Sequence, residues 1–368
     1  MVVDARTLNS RIESDSYPSP LLDRILTNIG NPRYLSRIDL SKAFLQCKLD
    51  EESFKYTAFA VPGRGLFEYT RVIFGLKNGP AILQRLVDSL FGPKYEPVFC
   101  YLDDLIVLSE SFEHHIQLLQ SVLRILIESN LSINFKKSVF AVPETVFLGF
   151  KVSKEGIAID HDRIIPLLNV PAPTNRKKVK SFVSAASFYR KHIKDFAAAP
   201  LNKLTSPKTP FLWTLDCQNS FEALKRCLVS GPILANSISG GRYVVEYYAS
   251  NCAALYQWQK DEKRLISYAS KKFTDSQIRC WSTLEKELAA LLWSIDEKFR
   301  PFIEFSEFDV VTDNYALSWV KNLKNPTGKL ARWSYRLQQY DFKICHNLRR
   351  ERIISSLIFF QEWTMSSL

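Results

Sequence analysis

Alternating apolar and polar positions predict a strand and a hairpin that bring acidic residues to strand ends. The segment PVFCYLDDLIVLS (97–109) has two apolar runs on either side of Asp103 and Asp104. Two turn-forming residues between β-rich runs are typical of a tight hairpin. Upstream, YLSRIDLSKAF (34–44) predicts a strand that ends at Asp39. The pattern therefore places three carboxylates at strand ends, where they can converge.

Helical spacing follows in FGLKNGPAILQRLVDSLF (74–91), which predicts a loop and then a helix. Asn78 is the expected N-cap, and Pro80 lies where a first helical turn tolerates proline.

A second helix is predicted at 283–299, where apolar residues repeat at helical spacing and form a stripe that faces a core. The stripe consists of Leu284, Leu288, Leu291, Ile295 and Phe299. Glu287 lies inside the stripe, whereas Glu285 points away from it. A glutamate on a buried face needs a partner such as a metal ion. The alternative is a glutamate that reaches solvent at the edge of the stripe.

The chain divides into three regions by pattern. The first, 1–150, mixes short β-like runs with helical stretches, and the second, 151–235, is basic and punctuated by prolines. Ser-Gly-Gly at 239–241 opens a third region of alternating strands and helices. The length of 368 residues fits two or three domains.

Positive charge is concentrated in one segment. The net charge is +11, and 151–210 hold 12 Lys/Arg against 4 Asp/Glu, a local net charge of +8. Such a stripe indicates a polyanionic partner, most simply nucleic acid. The alternative is a well-solvated basic surface.

The cysteines and the hydropathy pattern indicate an intracellular protein, cytoplasmic or nuclear and not secreted. The 7 cysteines are scattered and form no CxxC pair, which argues against a disulfide framework or a structural zinc site. The N-terminus is not a signal peptide, and no apolar run nears the roughly 20 residues that a membrane span needs. No membrane association is expected.

Six motifs occur in a fixed order: IDLSKAF, KYTAF, FEYTRVIFGLKNGPAILQRL, YLDD, LSINFKKSVF and VFLGF. Their order resembles that of reverse transcriptases, most closely those of gypsy-class LTR retrotransposons. The resemblance covers 1–235, and from there to about 356 the chain resembles the RNase H domain of the same elements. Two acidic residues in a turn are weak evidence for a metal-binding site by themselves. Their position within the ordered motifs is what supports that interpretation.

The resemblance implies a two-metal polymerase site. Asp39, Asp103 and Asp104 match the carboxylates that bind two Mg²⁺ ions, with Mn²⁺ as an alternative. Clustered carboxylates repel one another, so a divalent cation is needed to join them. Two such ions suit in-line phosphoryl transfer.

Further positions match the nucleotide site of the family: Arg6, Leu40, Phe44, Phe74, Gly75 and Lys137. Phe44 matches the steric gate that excludes a ribose 2′-hydroxyl, and its alternative is an ordinary core phenylalanine. Lys137 matches a lysine that can neutralise or protonate the departing pyrophosphate. Its alternative is a solvated surface lysine.

The template and primer are expected to contact a third set of residues: Gln84, Arg85, Leu148, Gly149, Arg176, Lys177, Lys178, Lys180, Arg190 and Lys191. Leu148 and Gly149 lie in VFLGF, which matches the hairpin that grips the primer end, although Phe150 replaces the usual histidine. The basic residues lie in 171–204, which resembles the family's thumb and would contact phosphates without reading sequence.

The sequence begins at a VVD-x-R segment that lies well inside the fingers of the family. The upstream fingers carry a lysine and an arginine that clamp the triphosphate. Cationic clamps contribute roughly 10³–10⁵-fold in phosphoryl transfer. The expectation is therefore an N-terminally truncated polymerase with impaired activity.

RNase H domains of this family hold two metal ions with four carboxylates. The four positions fall here on Tyr248, Glu287, Asp313 and Ser356, so two carboxylates are missing. Tyrosine is protonated at neutral pH and too bulky to replace an aspartate between two ions. Glu246 lies two residues earlier and would have to reach some 6–7 Å along the strand. The resemblance therefore implies a degenerate site without RNase H activity.

The implied architecture is α+β. It comprises a right-hand palm with partial fingers (1–152), a basic helical thumb or connection (153–235), an RNase H-like α/β domain with a mixed sheet (236–356) and a tail (357–368). The implied partners are an RNA template, a DNA or tRNA primer, an RNA–DNA hybrid and dNTPs. The oligomeric state stays open.

Three hypotheses follow. The chain is an RNA-directed DNA polymerase, a non-enzymatic remnant that binds nucleic acid through 151–210, or a decayed copy without a selected function. The intact aspartate trio favours the first hypothesis. The shortened fingers and the degenerate RNase H positions favour the others.

Overall fold

The computed structural model describes residues 4–18, 20–92, 95–196, 198–248, 252–312 and 328–346. The chain forms two compact units, Met1–Ile157 and Ala158–Leu368. The division lies close to the predicted boundary at 152, whereas the boundary predicted at 235 stays a prediction. No helix within the described ranges is both long and apolar enough to cross a membrane.

The first unit is built on a four-stranded sheet of β1 (Tyr34–Asp39), β4 (Val98–Tyr101), β5 (Asp104–Ser109) and β6 (Val139–Val142), in the order β4-β5-β1-β6. A separate two-stranded hairpin consists of β2 (Phe59–Val61) and β3 (Gly65–Phe67). A three-stranded sheet follows, of β7 (Glu144–Phe147), β8 (Phe150–Ser153) and β9 (Gly156–Ile159). The last of these strands contains the division between the units.

The helices of the first unit are α1 (Arg6–Arg11), α2 (Leu22–Thr27), α3 (Gly79–Leu90) and α4 (Phe112–Glu128). Helices α3 and α4 contact the sheet and share its buried apolar core, which includes Ile38, Leu83 and Val107. Burial of such side chains contributes roughly 1.5–3 kcal/mol each. The core therefore fixes the strand ends that carry the acidic residues.

The predicted hairpin is confirmed, but its turn is displaced by one residue. Tyr101 pairs with Asp104, so Leu102 and Asp103 form the turn and Asp104 begins β5. Leu102 has φ +55°, a left-handed conformation that is uncommon for a branched side chain. Because leucine is not a usual turn residue, the sequence pattern assigned the turn to the two aspartates.

Helix α3 starts at the predicted position, but the predicted capping of its N-terminus by the Asn78 side chain is wrong. Asn78 is the N-cap residue and Pro80 lies in the first turn, but the Asn78 side chain does not cap the helix. Its amide donates to the Glu13 carbonyl (2.8 Å), and its oxygen accepts from the Asp15 amide (3.1 Å). The side chain therefore ties the N-terminal segment to the start of α3.

A buried histidine joins α4 to the sheet. His115 is fully buried, its Nε2 lies 2.7 Å from the Ser36 hydroxyl, and its Nδ1 lies 2.9 Å from the Ser109 hydroxyl. Burial lowers the pKa of His115 below its ordinary value of 6.5, and His114 adds to the effect. The imidazole is therefore held neutral between two hydroxyl groups.

We expect the free energy of unfolding to fall on acidification because of His115. Between its lowered folded pKa and 6.5, the unfolded chain binds a proton that the folded chain does not, so stability rises with pH in that interval. The loss is about 1.4 kcal/mol for each pH unit of the interval. Urea unfolding at pH 7.5 and 5.5 measures it. His115→Gln should reduce the difference in unfolding free energy between the two pH values. His161→Gln, which changes an exposed histidine, should leave that difference as in the wild type. An equal difference in the wild type and both variants would contradict the assignment to His115.

The second unit begins with helices α5 (His161–Leu168), α6 (Arg176–Phe188), α7 (Ala199–Thr205) and α8 (Leu215–Val229). The side chain of Asn175 accepts from the Lys178 amide and caps α6, and Thr214 caps α8 in the same way. Phe182 and Phe221 lie with ring centroids 4.5 Å apart, which joins α6 to α8. Within the range predicted as helical, 153–235, these four helices follow β9, and the assignment of the range to a thumb or connection stays a prediction.

A five-stranded mixed sheet with the order β12-β11-β10-β13-β14 forms the rest of the second unit. Its elements are β10 (Tyr243–Tyr248), β11 (Cys252–Gln259), β12 (Glu262–Ser270), α9 (Asp275–Cys280), α10 (Thr283–Trp293), α11 (Arg300–Ile303), β13 (Phe308–Thr312), α12 (Gly328–Leu337) and β14 (Phe342–His346). Strand β10 is antiparallel to β11 and parallel to β13. Its Val245 and Tyr247 pack in one core with Leu288 and Leu291 of α10.

The single helix predicted at 283–299 is interrupted. Helix α10 ends at Trp293, a π-helical stretch continues from Ser294 to Phe299, and α11 follows. Pro301 lacks an amide hydrogen and cannot continue the α-helical hydrogen bonds, which fits this change of winding. The apolar stripe keeps its inward direction, since Ile295 and Phe299 are both buried.

Candidate active site

Strand pairing brings the three predicted aspartates together. Asp39, the last residue of β1, is directly opposite Asp104, the first residue of β5. The Leu40 amide donates to the Asp103 carbonyl at 2.9 Å. The backbone of the strand end is therefore hydrogen-bonded to the tip of the hairpin.

The Asp39 carboxylate lies in a partly enclosed polar setting. Its side chain is 17% exposed, and the Lys137 ammonium lies 4.0 Å from Oδ2. The Asp39 amide donates to the Ser138 hydroxyl at 3.1 Å. Within the described ranges, no three His, Cys, Asp or Glu side chains are grouped closely enough to hold a metal ion. The backbones converge, whereas the three carboxylates do not form a finished ligand set.

The residues assigned to the nucleotide make local contacts with one another and with the N-terminal segment. Phe44 and Phe74 are in edge-to-face contact with ring centroids 5.2 Å apart, and Phe74 is 52% exposed. Gly75 has φ +93°, and its carbonyl accepts from the Asn9 side chain at 2.7 Å. Arg6 is exposed and paired with Asp4 at 2.6 Å.

The two residues of α3 that were expected near the template face other groups. Gln84 is fully buried, and its oxygen accepts from the Leu102 amide at 2.9 Å. The Arg85 guanidinium pairs with Asp15 at 2.8 Å and lies over the Tyr17 ring. Gln84 thus contacts the acidic turn from inside the protein, whereas we expected it to contact the template.

The VFLGF hairpin has a two-residue turn with both residues left-handed. Leu148 has φ +50°, Gly149 has φ +86°, and Phe147 pairs with Phe150. This is the type I′ geometry that matches the twist of the flanking strands. The predicted hairpin is confirmed, and its contact with a primer stays a prediction.

Sequence reasoning missed Arg37, which links the parts of this region. Its guanidinium donates to the Val146 carbonyl at 2.8 Å and to the Lys137 carbonyl at 3.0 Å. Arg37 therefore joins β1 to the VFLGF hairpin and to the Lys137 segment. A charged residue at an interior position of a predicted strand was the available signal.

The basic residues of the second unit fall into two groups. Lys177, Lys178 and Lys180 are exposed on α6, and Arg176 at its start donates to the Thr209 carbonyl at 2.5 Å. Farther along, the Arg190 guanidinium faces inward, and Lys191 beside it is half-buried.

Arg190 is turned toward the mixed sheet. Its guanidinium donates to the Ser270 hydroxyl (3.0 Å) and carbonyl (2.6 Å), and burial lowers its pKa. These contacts occupy donors that we expected to face phosphates. Arg190 is therefore a link between the helices and β12 in this structure.

The second predicted site lies at the end of β10. Glu287 is 4% exposed, as the stripe predicted, whereas Glu285 caps its helix and pairs with Lys329 at 2.7 Å. Tyr248 is the last residue of β10. Asp313 and Ser356 lie outside the described residues.

Glu246, the potential substitute for the missing aspartate, is engaged elsewhere. Its carboxylate pairs with the Lys263 ammonium, which also lies 4.4 Å from the Tyr256 ring centroid. The pair joins β10 to β12 across β11. This carboxylate is therefore engaged by a cation of a neighbouring strand.

The fold is that of a polymerase of the reverse transcriptase class. Residues 1–152 match the family of reverse transcriptases (RNA-dependent DNA polymerases), and residues 242–340 match the RNase H-like domain found in reverse transcriptases. The chain belongs to these families and is a reverse transcriptase–RNase H segment of the type found in gypsy-class retrotransposon Pol polyproteins.

Two curated relatives come from Drosophila melanogaster. The retrovirus-related Pol polyprotein from transposon 297 is 33% identical over 362 residues, covering 97% of this chain and 34% of that protein. The corresponding polyprotein from transposon gypsy is 28% identical over 376 residues, covering 97% of this chain and 36% of that protein. The chain spans about a third of the length of these relatives.

Solved structures share the fold. The foamy viral protease–reverse transcriptase dRH in complex with double-stranded DNA has a TM-score of 0.80 at 24% identity, covering 95% of this chain and 62% of that chain. The foamy viral protease–reverse transcriptase in complex with an RNA/DNA hybrid has a TM-score of 0.72 at 24% identity, covering 94% and 48%. The predicted fold class is confirmed.

Proposed function

We propose that this chain is an RNA-directed DNA polymerase whose active site is formed by Asp39, Asp103 and Asp104. The observation that carries the proposal is the pairing of Asp39 with Asp104, together with the hydrogen bond from Leu40 to Asp103. Primer extension on an RNA template, comparing the wild-type chain with Asp103→Asn, tests it.

The donor set fits magnesium. Carboxylate oxygens are the ligands that Mg²⁺ prefers, and the backbone positions are adjacent. Asp39, Asp103 and Asp104 are the residues that would hold the ions in this proposal. A bound pair of Mg²⁺ ions would supply the positive charge that activates a primer hydroxyl and offsets the charge of a leaving pyrophosphate.

The surrounding residues supply the rest of the mechanism. Lys137 lies close enough to Asp39 to offset its charge and is mostly exposed, so its ammonium can turn toward a departing pyrophosphate. Phe44 and Phe74 contact each other edge to face, and Phe74 is half exposed. In this proposal the aromatic pair restricts the sugar of the incoming nucleotide, with Phe44 as the steric gate.

The partner that we propose is an RNA template paired with a DNA or tRNA primer, and the RNA–DNA hybrid that synthesis makes. The foamy viral structures with the same fold were determined with double-stranded DNA and with an RNA/DNA hybrid. The exposed lysines of α6 supply the positive surface that a duplex backbone requires. The RNase H-like domain binds no catalytic metal pair in this proposal.

A second candidate function is duplex binding without synthesis, which the lysines of α6 favour. The double variant Lys177→Ala/Lys180→Ala should reduce the slope of log K against log salt concentration by about 2, because each phosphate contact contributes about 0.9. Fluorescence anisotropy with a labelled RNA–DNA hybrid measures the slope. Arg124→Ala, which removes an exposed charge of α4, is the matched control and should leave the slope unchanged. Equal slopes in all three proteins would exclude α6 as the binding surface.

A further inference from the structure

The turn that carries Asp103 has an unusual backbone at Leu102. This residue has φ +55°, where the side chain of an L-amino acid crowds its own backbone. Glycine or asparagine would take this conformation at lower cost. A leucine here persists only when neighbouring groups hold the turn.

Two hydrogen bonds hold the turn from opposite sides. From β1, the Leu40 amide donates to the Asp103 carbonyl at 2.9 Å. From α3, the Gln84 carbonyl oxygen accepts from the Leu102 amide, also at 2.9 Å. Gln84 is fully buried, so this contact is shielded from water. The peptide that precedes Leu102 and the peptide that follows Asp103 are thus fixed, one at each end of the turn.

The orientation of the Gln84 amide is set by a carboxylate. Gln84 Nε2 donates to Asp88 Oδ1 at 2.8 Å, and the Tyr17 hydroxyl donates to Asp88 Oδ2 at 2.8 Å. A carboxylate only accepts hydrogen bonds, so it selects the NH₂ end of the amide. The oxygen of Gln84 is therefore left facing the Leu102 amide. In the reverse orientation, the Gln84 oxygen would face the Asp88 carboxylate and the Gln84 NH₂ group would face the Leu102 N–H, so neither pair could form a hydrogen bond.

Tyr17 is itself held in place. The Arg85 guanidinium lies 4.8 Å from the centre of its ring and pairs with Asp15 at 2.8 Å. The donation to Asp88 raises the pKa of Tyr17, so the hydroxyl keeps its proton. A chain of contacts therefore runs from the N-terminal segment through α3 to the turn.

We propose that Gln84 is a positioning residue for Asp103, and that Asp88 and Tyr17 fix the Gln84 amide in its working orientation. The proposal rests on the polymerase function proposed above. Gln84 touches no reacting atom in it. Gln84 sets the Leu102 peptide, and through it the place of the adjacent aspartate.

The test exchanges the donor and acceptor between Gln84 and Asp88. Gln84→Leu removes the acceptor, and Gln84→Glu keeps it but sets two carboxylates against each other. In the double variant Gln84→Glu/Asp88→Asn, the introduced asparagine amide donates to the introduced glutamate and its oxygen still accepts from Tyr17, so the arrangement is restored. Val87→Ala shortens a fully buried side chain of the same helix and is the control for general loosening.

Two quantities are measured on the full chain: kcat and KM for nucleotide in primer extension, and hydrogen exchange of the Leu102 amide by NMR. Gln84→Leu should lower kcat about 10²-fold, the effect of misplacing a catalytic group by about an ångström, with a smaller change in KM. Leu102 exchange should rise about tenfold. Relative to Gln84→Glu, the double variant should return kcat and Leu102 exchange toward their wild-type values. Val87→Ala should produce neither the loss of kcat nor the rise in Leu102 exchange that Gln84→Leu produces.

Wild-type kcat and Leu102 exchange in Gln84→Leu would overturn the proposal, as would a double variant no better than Gln84→Glu. If the wild-type chain incorporates no nucleotide while Leu102 exchange responds and is rescued, the polymerase assignment fails and the anchoring of the turn stands.

Discussion

Asp103→Asn is expected to lower the rate of Mg²⁺-dependent primer extension by about 10³-fold or more. A bound metal ion supplies several kcal/mol of transition-state stabilisation, and each 1.36 kcal/mol is tenfold in rate. Asparagine keeps the size of aspartate but offers no charge to the cation. The backbone bond from Leu40 to Asp103 does not depend on the side chain, so the turn should persist.

The assay uses an RNA template with a labelled DNA primer and Mg²⁺ titrated from zero. Glu128→Gln, an exposed carboxylate-to-amide change at the end of α4, is the matched control and should retain wild-type activity. Synthesis that survives in Asp103→Asn contradicts the site assignment. Salt-dependent binding of the duplex without synthesis in the wild type favours the second candidate function.

The RNA strand of an RNA–DNA hybrid is expected to stay intact in the presence of the wild-type chain. Loss of a two-metal site removes several kcal/mol of stabilisation, or about 10³-fold or more in rate. Tyr248 cannot replace an aspartate, and the Glu246 carboxylate is paired with Lys263. Glu287 alone offers one carboxylate among the described positions of that site.

A gel assay with a labelled RNA strand measures this hydrolysis. Glu287→Gln should match the wild type, since a ligand of an inactive site can be changed without loss. Tyr248→Asp combined with Ser356→Asp is the variant that should gain metal-dependent cleavage. Hydrolysis by the wild-type chain that Glu287→Gln removes would show that the site is active.

The sequence predicted the strand that ends at Asp39 and the hairpin after it, because alternation and ordered motifs are local signals. The turn was displaced by one residue because its conformation depends on Gln84, 18 positions earlier in the chain. The hydrogen-bond partner of a buried side-chain amide on another element cannot be predicted from the helical spacing of apolar residues. The spacing of four residues between Gln84 and Asp88 was the only local signal, and it indicates the contact between these two side chains.

Counting charges along the sequence also predicted only part of the basic surface. It identified the basic segment, and α6 presents three of its lysines to solvent. It also counted Arg190, whose guanidinium is bonded to Ser270 of β12. A net charge contains no information on which side chains face inward, since that depends on strands that come eighty residues later.

The hydrogen bonds of Arg37 preorganise the region around Asp39. A planar guanidinium with its donors spread as a fork serves two carbonyls at once, which a lysine ammonium on a flexible stem does less well. The strand of Asp39, the loop of Lys137 and the VFLGF hairpin are thereby joined into one block. Such a block keeps its internal spacing before any nucleic acid arrives, so little ordering entropy is left to be lost on binding.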